Sequence, residues 1–323
     1  MLVGVGALGC TVADQLTRAG VGQLTLIDRD VVDATNLQRQ TLFNESDVSA
    51  NAAKVSAAAR YLGAVNADVR IDAVVGDVDS VSVMRMLRAY RPTVLIDSTD
   101  NVATRYLLND VSVRENVPLI YGACVGVEGR VMGIIPNNTP CLRCVFPNPP
   151  APGELPTCDT AGVLGPVAAI VGAMQATEAM RVIIDPESAA LSPALMTIDA
   201  WQRRYRTLDL TGQRDPACVA CGLRRFDFLD ARAASGVTLC GRNTVQIRLH
   251  TRQNSDDATE QSFLDSMEPR LRDALHDVVR NAYLIRCRVD EATELTIFRD
   301  GRAMVHGTSD VARARAIVAR YLG

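Results

Sequence analysis

Six residues near the amino terminus, Gly4-Val5-Gly6-Ala7-Leu8-Gly9, leave few folds open to this chain. They follow a short apolar stub, Met1–Val3, and lead into a helical stretch, Gly9–Arg18. A glycine turn between strand and helix brings backbone N–H groups and a helix N-terminus up to a phosphate. The next strand, Leu24–Asp28, ends on a carboxylate 19 residues after Gly9, where it can accept both hydroxyls of a ribose. Gly4, Gly6, Gly9 and Asp28 therefore predict an adenosine phosphate at the end of a parallel sheet.

The alternation of strand and helix continues. Ala50–Leu62, Val81–Arg88 and Val102–Glu115 read as helices, and Val69–Val75, Thr93–Asp97 and Leu119–Ala123 as strands. Such alternation predicts an α/β fold, a Rossmann-like doubly wound and mostly parallel sheet. Arg130–Ile135 follows as a strand with no helix before it, so the sheet is expected to change character there. Pro147–Pro156 holds five prolines and reads as a mobile loop leading to Cys158. Gly162–Ile184 is rich in small residues and helical, and Ala194–Asp199 with Tyr205–Leu210 closes this first domain, residues 1–223. Beyond it, Val245–Leu249, Tyr283–Val289, Leu295–Arg299 and Ala303–His306 read as strands, and Ser262–Leu275 and Val311–Tyr321 as helices. Asp300-Gly301 is a hairpin signal between the last two strands. Residues 224–323 thus form a small α+β domain, for which the residues assign no role.

A net charge of −3 offers no electrostatic footprint for nucleic acid or an anionic membrane. No uninterrupted apolar run approaches the ~18 residues of a spanning helix, and no basic-then-apolar leader opens the chain. The expected setting is the cytoplasm. Nine cysteines, with two pairs spaced Cys-x-x-Cys, then point to metal and thiol chemistry and not to a disulfide framework.

Two cations turn the expected ligand from a dinucleotide into a triphosphate. A helix end suffices for a pyrophosphate, whereas a triphosphate has more charge and calls for side-chain cations. Asn36 and Arg39 are three apart, so one helical turn puts both on one face, although Arg39 taken alone also fits a solvated surface arginine. Of 34 basic residues all but Lys54 are arginine, a bias that an arginine-favouring genome accounts for. The one place where a lysine survives then carries weight, because a compact ammonium and a planar guanidinium are not interchangeable near phosphates. Asp100, in Asp97-Ser98-Thr99-Asp100-Asn101, follows the fourth strand and faces the same crevice as Gly6 and Asp28, as a hard ligand for Mg²⁺ beside phosphates. Asp97 reads as structural, and Asn101 as either a helix cap or a ligand.

Cys141-x-x-Cys144 and Cys218-x-x-Cys221 supply four thiolates in two knuckles, the donor set of a tetrahedral Zn²⁺ that clamps distant segments. Cys158 precedes a helix start, which favours a nucleophilic thiolate; the plainer reading is a small residue at a helix boundary. Cys10, Cys124, Cys240 and Cys287 read as core or incidental thiols.

In combination, Gly4–Cys10, Asp28-x-Asp30, Asn36-Leu37-Gln38-Arg39-Gln40, Lys54, Ser98-Thr99-Asp100-Asn101 and the paired Cys-x-x-Cys resemble the MoeB/ThiF family across residues 1–223. Members of that family are relatives of ubiquitin-activating enzymes, and they adenylate small ubiquitin-like sulfur carriers. The resemblance implies that Asp28 binds ribose, that Asn36, Arg39 and Lys54 hold ATP, and that Asp100 positions Mg²⁺. Cys158 matches a position that carries a thioester or persulfide in some members. A homodimer is implied, as are a MoaD- or ThiS-type carrier ending in Gly-Gly and a sulfur donor such as a cysteine desulfurase or rhodanese. Three departures stand out. The helices that precede the first strand in the family, with an arginine that reaches the partner's triphosphate, have no counterpart before Met1. The Arg39-to-Lys54 spacing is slightly longer than usual. The last hundred residues are not a rhodanese, since neither Cys240 nor Cys287 opens a Cys-Arg-x-Gly loop. The stretch from Phe298-Arg299-Asp300-Gly301-Arg302 through Gly307-Thr308 is similar to a tail found in some bacterial members.

The expectation is an adenylyltransferase serving molybdopterin, thiamine, cysteine or thiolated-tRNA biosynthesis. An NAD-dependent oxidoreductase would leave Arg39, Lys54 and the knuckles unexplained. A catalytically silent half of a heterodimeric activating enzyme would not need the Arg39, Lys54 and Asp100 set.

Overall fold

The computed structural model describes residues 1–150, 154, 161–230, 236–239, 243–249 and 257–322; for residues 191, 236–239, 248 and 257–262 only the backbone is described. The chain divides into two compact units, Met1–Arg232 and Ala233–Gly323.

The strands of the first unit are β1 (Leu2–Val3), β2 (Gln23–Asp28), β3 (Arg70–Val75), β4 (Leu95–Asp97), β5 (Leu119–Val125), β6 (Glu128–Ile134), β7 (Ala194–Asp199) and β8 (Arg204–Asp209). Its helices are α1 (Ala7–Arg18), α2 (Glu45–Ser49), α3 (Lys54–Val65), α4 (Ser80–Tyr90), α5 (Val102–Glu115), α6 (Leu142–Val145), α7 (Gly165–Ile184), α8 (Pro186–Leu191) and α9 (Asp227–Asp230). The sheet runs β3-β2-β1-β4-β5-β6-β7-β8. The first five in this order are parallel, and from β5 onward each pairing is antiparallel. The change of character expected near Arg130 is this reversal at β6.

Period-two alternation explains why the sheet is covered on both faces. Leu2, Leu26, Ile96 and Ile120 enter one core with Leu8, Val12 and Leu16 of α1, Val55 and Leu62 of α3, and Val167 and Val171 of α7. Their neighbours Val3, Ile27, Leu95 and Leu119 enter a second core with Val83 and Leu87 of α4 and Leu107, Leu108 and Val111 of α5. Each such side chain, fully buried, contributes about 1.5–3 kcal/mol, so a one-residue register slip would be prohibitive.

Two local departures have clear causes. The expected helix Ala50–Leu62 starts four residues later, at Lys54. Asn44 accepts from Ser46 and Asp47 N–H to cap the separate helix α2, and Asn51, at φ 47°, breaks the chain between the two helices. Helix α7 is also long and apolar enough to cross a membrane by length and composition, although Gln175, Glu178 and Arg181 interrupt its apolar run. Here it packs on the sheet, with Gly172 bringing its backbone close to Leu8 and Thr11 of α1.

The second unit contains β9 (Gly236–Leu239), β10 (Thr244–Arg248), α10 (Asp257–Ala274), β11 (His276–Arg280), β12 (Leu284–Arg288), β13 (Glu294–Phe298), β14 (Arg302–His306) and α11 (Val311–Leu322). Its antiparallel sheet has the order β11-β12-β13-β14-β10-β9. Leu264 and Leu271 of α10 and Ala314 and Val318 of α11 pack on the face formed by Val245, Ile247, Ile285, Leu295, Ile297, Ala303 and Val305. Strands β9 and β11 were not legible beforehand, because both are short edge strands with little alternation.

Candidate nucleotide site and cysteine cluster

The strand order reverses direction between β2-β1 and β4, so the carboxyl ends of β1 and β4 open a crevice at the switch point. The glycine turn fills its floor, and each glycine is there for a different reason. Gly4 leaves β1 at φ 87°, and a Cβ on it would stand 2.8 Å from the Ser98 carbonyl oxygen. A Cβ on Gly9 would overlap the carbonyl oxygen of Gly4 itself. Gly6 faces open space, its nearest neighbour being the Gln40 amide nitrogen 3.9 Å from a built Cβ. No side chain caps α1 at Gly6, so the helix presents its first N–H groups and positive dipole end to the crevice.

Asp28 is tied into this turn. Its Oδ2 accepts the Val5 N–H at 2.7 Å and its Oδ1 the Asp30 N–H at 2.8 Å. Each carboxylate oxygen retains a lone pair, which is what two ribose hydroxyls require. Burial pushes the Asp28 carboxyl above the usual carboxylate range, while the Lys54 charge and the two backbone N–H groups oppose it. Lys54, 3 % exposed, lies at the start of α3. It is fixed twice to Asp30, through its own N–H to the Asp30 carbonyl at 3.0 Å and through Nζ to Oδ2 at 3.2 Å. Asp30, which sequence reasoning quoted without a role, is the lysine's anchor.

Arg39 belongs to a second polar cluster against the same turn. Its Nη2 donates to Asn36 Oδ1 at 3.0 Å and its Nη1 to the Thr35 carbonyl at 3.1 Å. Gln40 Nε2 donates to the same Asn36 oxygen at 2.9 Å. The one-face placement expected of Asn36 and Arg39 is realised by the tight turn after Ala34–Asn36. Gln40 is 4 % exposed and, among the described residues, its Oε1 has no hydrogen-bond partner.

The loop after β4 completes the crevice. Asp97, fully buried, accepts Thr99 N–H and hydroxyl at 2.9 and 2.7 Å and pairs with Arg105 Nε at 3.3 Å, a structural role. Asn101 Oδ1 caps α5 by accepting the Thr104 N–H at 3.1 Å. Between them Asp100 is exposed, on a loop that Gly4 allows to lie against the glycine turn. Gln175, from the middle of α7 and fully buried, donates to the Asp97 carbonyl at 2.7 Å and accepts from the Ser98 hydroxyl at 3.2 Å. Gly122 makes room for it, since a Cβ there would overlap the Gln175 amide. Arg105 and Gln175 were missed as positioning residues. The available signal for Gln175 was a lone amide inside an otherwise apolar, small-residue helix.

The four knuckle cysteines converge although Cys141 and Cys218 are 77 residues apart. Their Sγ atoms all lie within 4.8 Å of one another, with Cys141–Cys144 at 3.9 Å, Cys141–Cys218 at 3.6 Å and Cys144–Cys221 at 3.4 Å. Sulfurs at Zn–S distances of about 2.3 Å on a tetrahedron stand about 3.8 Å apart, so the donor set fits Zn²⁺. The crowded thiols share protons: donation from Cys141 and Cys144 pushes the Cys221 thiol down, while Cys141 and Cys144 are themselves pushed up. The cluster belongs to the second core, on the face away from α1, α3 and α7.

Cys158 lies outside the described residues, as do Cys240 and half of the proline-rich loop. Cys10 and Cys287 are buried thiols pushed up to about 12 by burial, and Cys124 is buried too, in keeping with core roles.

This fold, with a glycine turn at the switch point of its parallel sheet, is that of a Rossmann-like α/β protein. The chain belongs to the ThiF family, whose sequence profile matches residues 1–220. It is 38 % identical over its whole length to the sulfur carrier protein ThiS adenylyltransferase of Bacillus subtilis (strain 168), covering 92 % of that protein. It is 39 % identical over 230 residues to the SAMP-activating enzyme E1 of Haloferax volcanii, covering 71 % of this chain and 82 % of that one. Among solved structures, MccB of E. coli with ATP shares the fold at TM-score 0.55 and 22 % identity, over 68 % of this chain and 65 % of that chain.

Proposed function

We propose that this chain is an ATP-dependent adenylyltransferase that activates the C-terminal glycine of a ubiquitin-like sulfur carrier protein. The observation that supports the reading is that Asp28, the Lys54–Asp30 pair and the Asp100 loop all border one glycine turn, with Gln40, bonded to the same Asn36 oxygen as Arg39, beside Gly6. A nicotinamide cofactor would not call for both cations. The adenylyltransferase and E1 names of the relatives support the same reaction class, and the full-length similarity favours a ThiS-type carrier.

In this reading the glycine carboxylate attacks the α-phosphate of ATP in line. A carboxyl O–P bond forms, the bond to the β-phosphoryl oxygen breaks, and pyrophosphate leaves with the electron pair. Asp28 holds the ribose, Asn36 orients Arg39, and Arg39, Lys54 and the N–H groups of the glycine turn neutralise charge on the phosphates. Asp100 positions the Mg²⁺ that accompanies ATP. Cys141, Cys144, Cys218 and Cys221 hold Zn²⁺, which supplies structural cross-linking and no chemistry at the phosphates. The acyl-adenylate is then attacked at its acyl carbon by a sulfur nucleophile, either the terminal sulfur of a persulfide on a desulfurase or rhodanese donor or the Cys158 thiolate. A C–S bond forms, the acyl C–O bond breaks and AMP leaves with its electron pair. A homodimer working in the cytoplasm completes the reading.

The test is ATP–pyrophosphate exchange by the purified chain with a carrier ending in Gly-Gly. Exchange is expected only with the carrier, and Asp100→Ala should lower it about 10²–10³-fold, the range for losing one transition-state charge partner. Undiminished exchange in that variant would remove Asp100 from the site. Absence of exchange by the chain alone would favour a silent half of a heterodimer.

A further inference from the structure

The stretch from Phe298 to Arg302 is a hairpin joining β13 and β14, and it holds an arginine in an unusual state. Gly301, at φ 78°, turns the chain, and its N–H donates to the Phe298 carbonyl at 3.0 Å. Asp300 then clamps Arg302 twice, Oδ1 accepting its N–H at 3.2 Å and Oδ2 its Nε at 2.6 Å. The Phe298 ring lies 4.4 Å from the guanidinium carbon. Strand alternation places Arg302 on the sheet face opposite α10 and α11, because its neighbour Ala303 is in the helix-side core. Arg302 is 1 % exposed, yet among the described residues neither Nη1 nor Nη2 has a hydrogen-bond partner.

An arginine cannot shed its proton to relieve this, and Asp300 meets only the Nε donor of the five a guanidinium offers. A buried ionised group with unmet donors is among the most costly arrangements a fold can keep. What lacks a partner is the Nη1–Nη2 edge, whose two parallel donors match two oxygens of a carboxylate or phosphate. Asp300 and Phe298 fix the orientation of that edge in advance, so little rotamer freedom is lost when an anion arrives.

We propose that the carboxy-terminal unit carries an oxyanion site in which Nη1 and Nη2 of Arg302 bind two oxygens of a small phosphate or carboxylate. Asp300 and Phe298 position the guanidinium and do not touch the anion. The site is separate from the glycine-turn crevice and does not depend on the adenylation reading.

The test uses the full chain, with inorganic phosphate titrated at constant ionic strength and thermal unfolding and calorimetric binding as readouts. Because the nucleotide crevice also attracts phosphate, wild type is compared with Arg302→Met and with Arg39→Ala. At a phosphate concentration a hundred times the Kd of this site, the folding equilibrium is expected to move about a hundredfold further toward the native state in wild type than in Arg302→Met, and Arg39→Ala is expected to keep that hundredfold. Acetate run in parallel separates the sources: an equal response assigns a carboxylate, a response to phosphate alone a phosphoryl group. Should Arg302→Met fail to fold, Arg302→Lys keeps the charge but loses the fork, and its affinity should fall at least about tenfold. No response in wild type, a response that Arg302→Met keeps in full, or unchanged affinity in Arg302→Lys overturns the proposal.

Discussion

Gln175 shows how much one buried amide can do at a distance from the reacting atoms. It satisfies the Asp97 carbonyl and the Ser98 hydroxyl, the two residues on which the Asp100 loop hangs. Gln175→Leu keeps the volume and leaves both groups unmet, which costs roughly 1–3 kcal/mol each if they stay buried. The expected outcome is a folded enzyme whose KM for ATP in pyrophosphate exchange rises about tenfold, with a smaller change in kcat. Gln175→Glu should recover activity as pH falls, because a protonated carboxyl donates to the Asp97 carbonyl as the amide does. If Gln175→Leu leaves KM unchanged, Gln175 does no more than pack. The glycines act at the same scale: Gly4 and Gly9 let backbones approach, whereas Gly6 keeps the crevice open.

Helix α5 links the two chemical regions of the first unit. Near its start Arg105 holds Asp97, and one to two turns further on Asn109 and Asp110 are both fully buried. Asn109 Oδ1 accepts the Leu142 N–H at 2.8 Å inside the first cysteine knuckle, and Asp110 Oδ2 accepts the Phe228 N–H at 3.0 Å in α9. Burial pushes Asp110 from 3.8 up to about 6, only partly offset by that N–H and by Arg143. A carboxyl raised on folding contributes stability that is fully present below about pH 4 and lost as pH rises through about 6. Asp110→Asn mimics the neutral acid, so its stability relative to wild type should be unchanged near pH 4 and higher near pH 8. The gain expected from a shift of about two units is on the order of 3 kcal/mol, read from urea melts at the two pH values. An equal difference at both would assign the effect to packing.

For the first unit as a whole, the cysteine cluster is the long-range closure. It joins the segment after β6 to the turn after β8 across 77 residues, where no strand pairing does so. The purified chain is expected to contain about one zinc per molecule, and a chelator should lower Tm by roughly 10 °C, the equivalent of about 3 kcal/mol or more. Cys218→Ser should reproduce the loss without chelator. A metal-free protein with an unchanged melting temperature would return these thiols to ordinary core packing. The glycine turn would lose only part of its support, because α1, α3 and α7 are in the other core.

Short-range patterns made the first half of this legible. A glycine turn, a strand-end carboxylate and period-two alternation are each complete within a few residues, so Gly4–Gly9, Asp28 and the parallel strands could be read directly from the chain. Two Cys-x-x-Cys pairs, being rare donor sets, pointed to one four-thiol cluster without coordinates, and the four sulfurs do converge. What the sequence could not determine is which distant polar groups meet. Gln175 reaches Ser98 across 77 positions, Asp110 reaches Phe228 across 118, and only the packing of α7 and α5 on the sheet brings them together. The break at Asn51 and the enclosed edge of Arg302 were decided by tertiary structure too. A left-handed residue and a buried, unmet guanidinium persist only where the surrounding fold holds them in place.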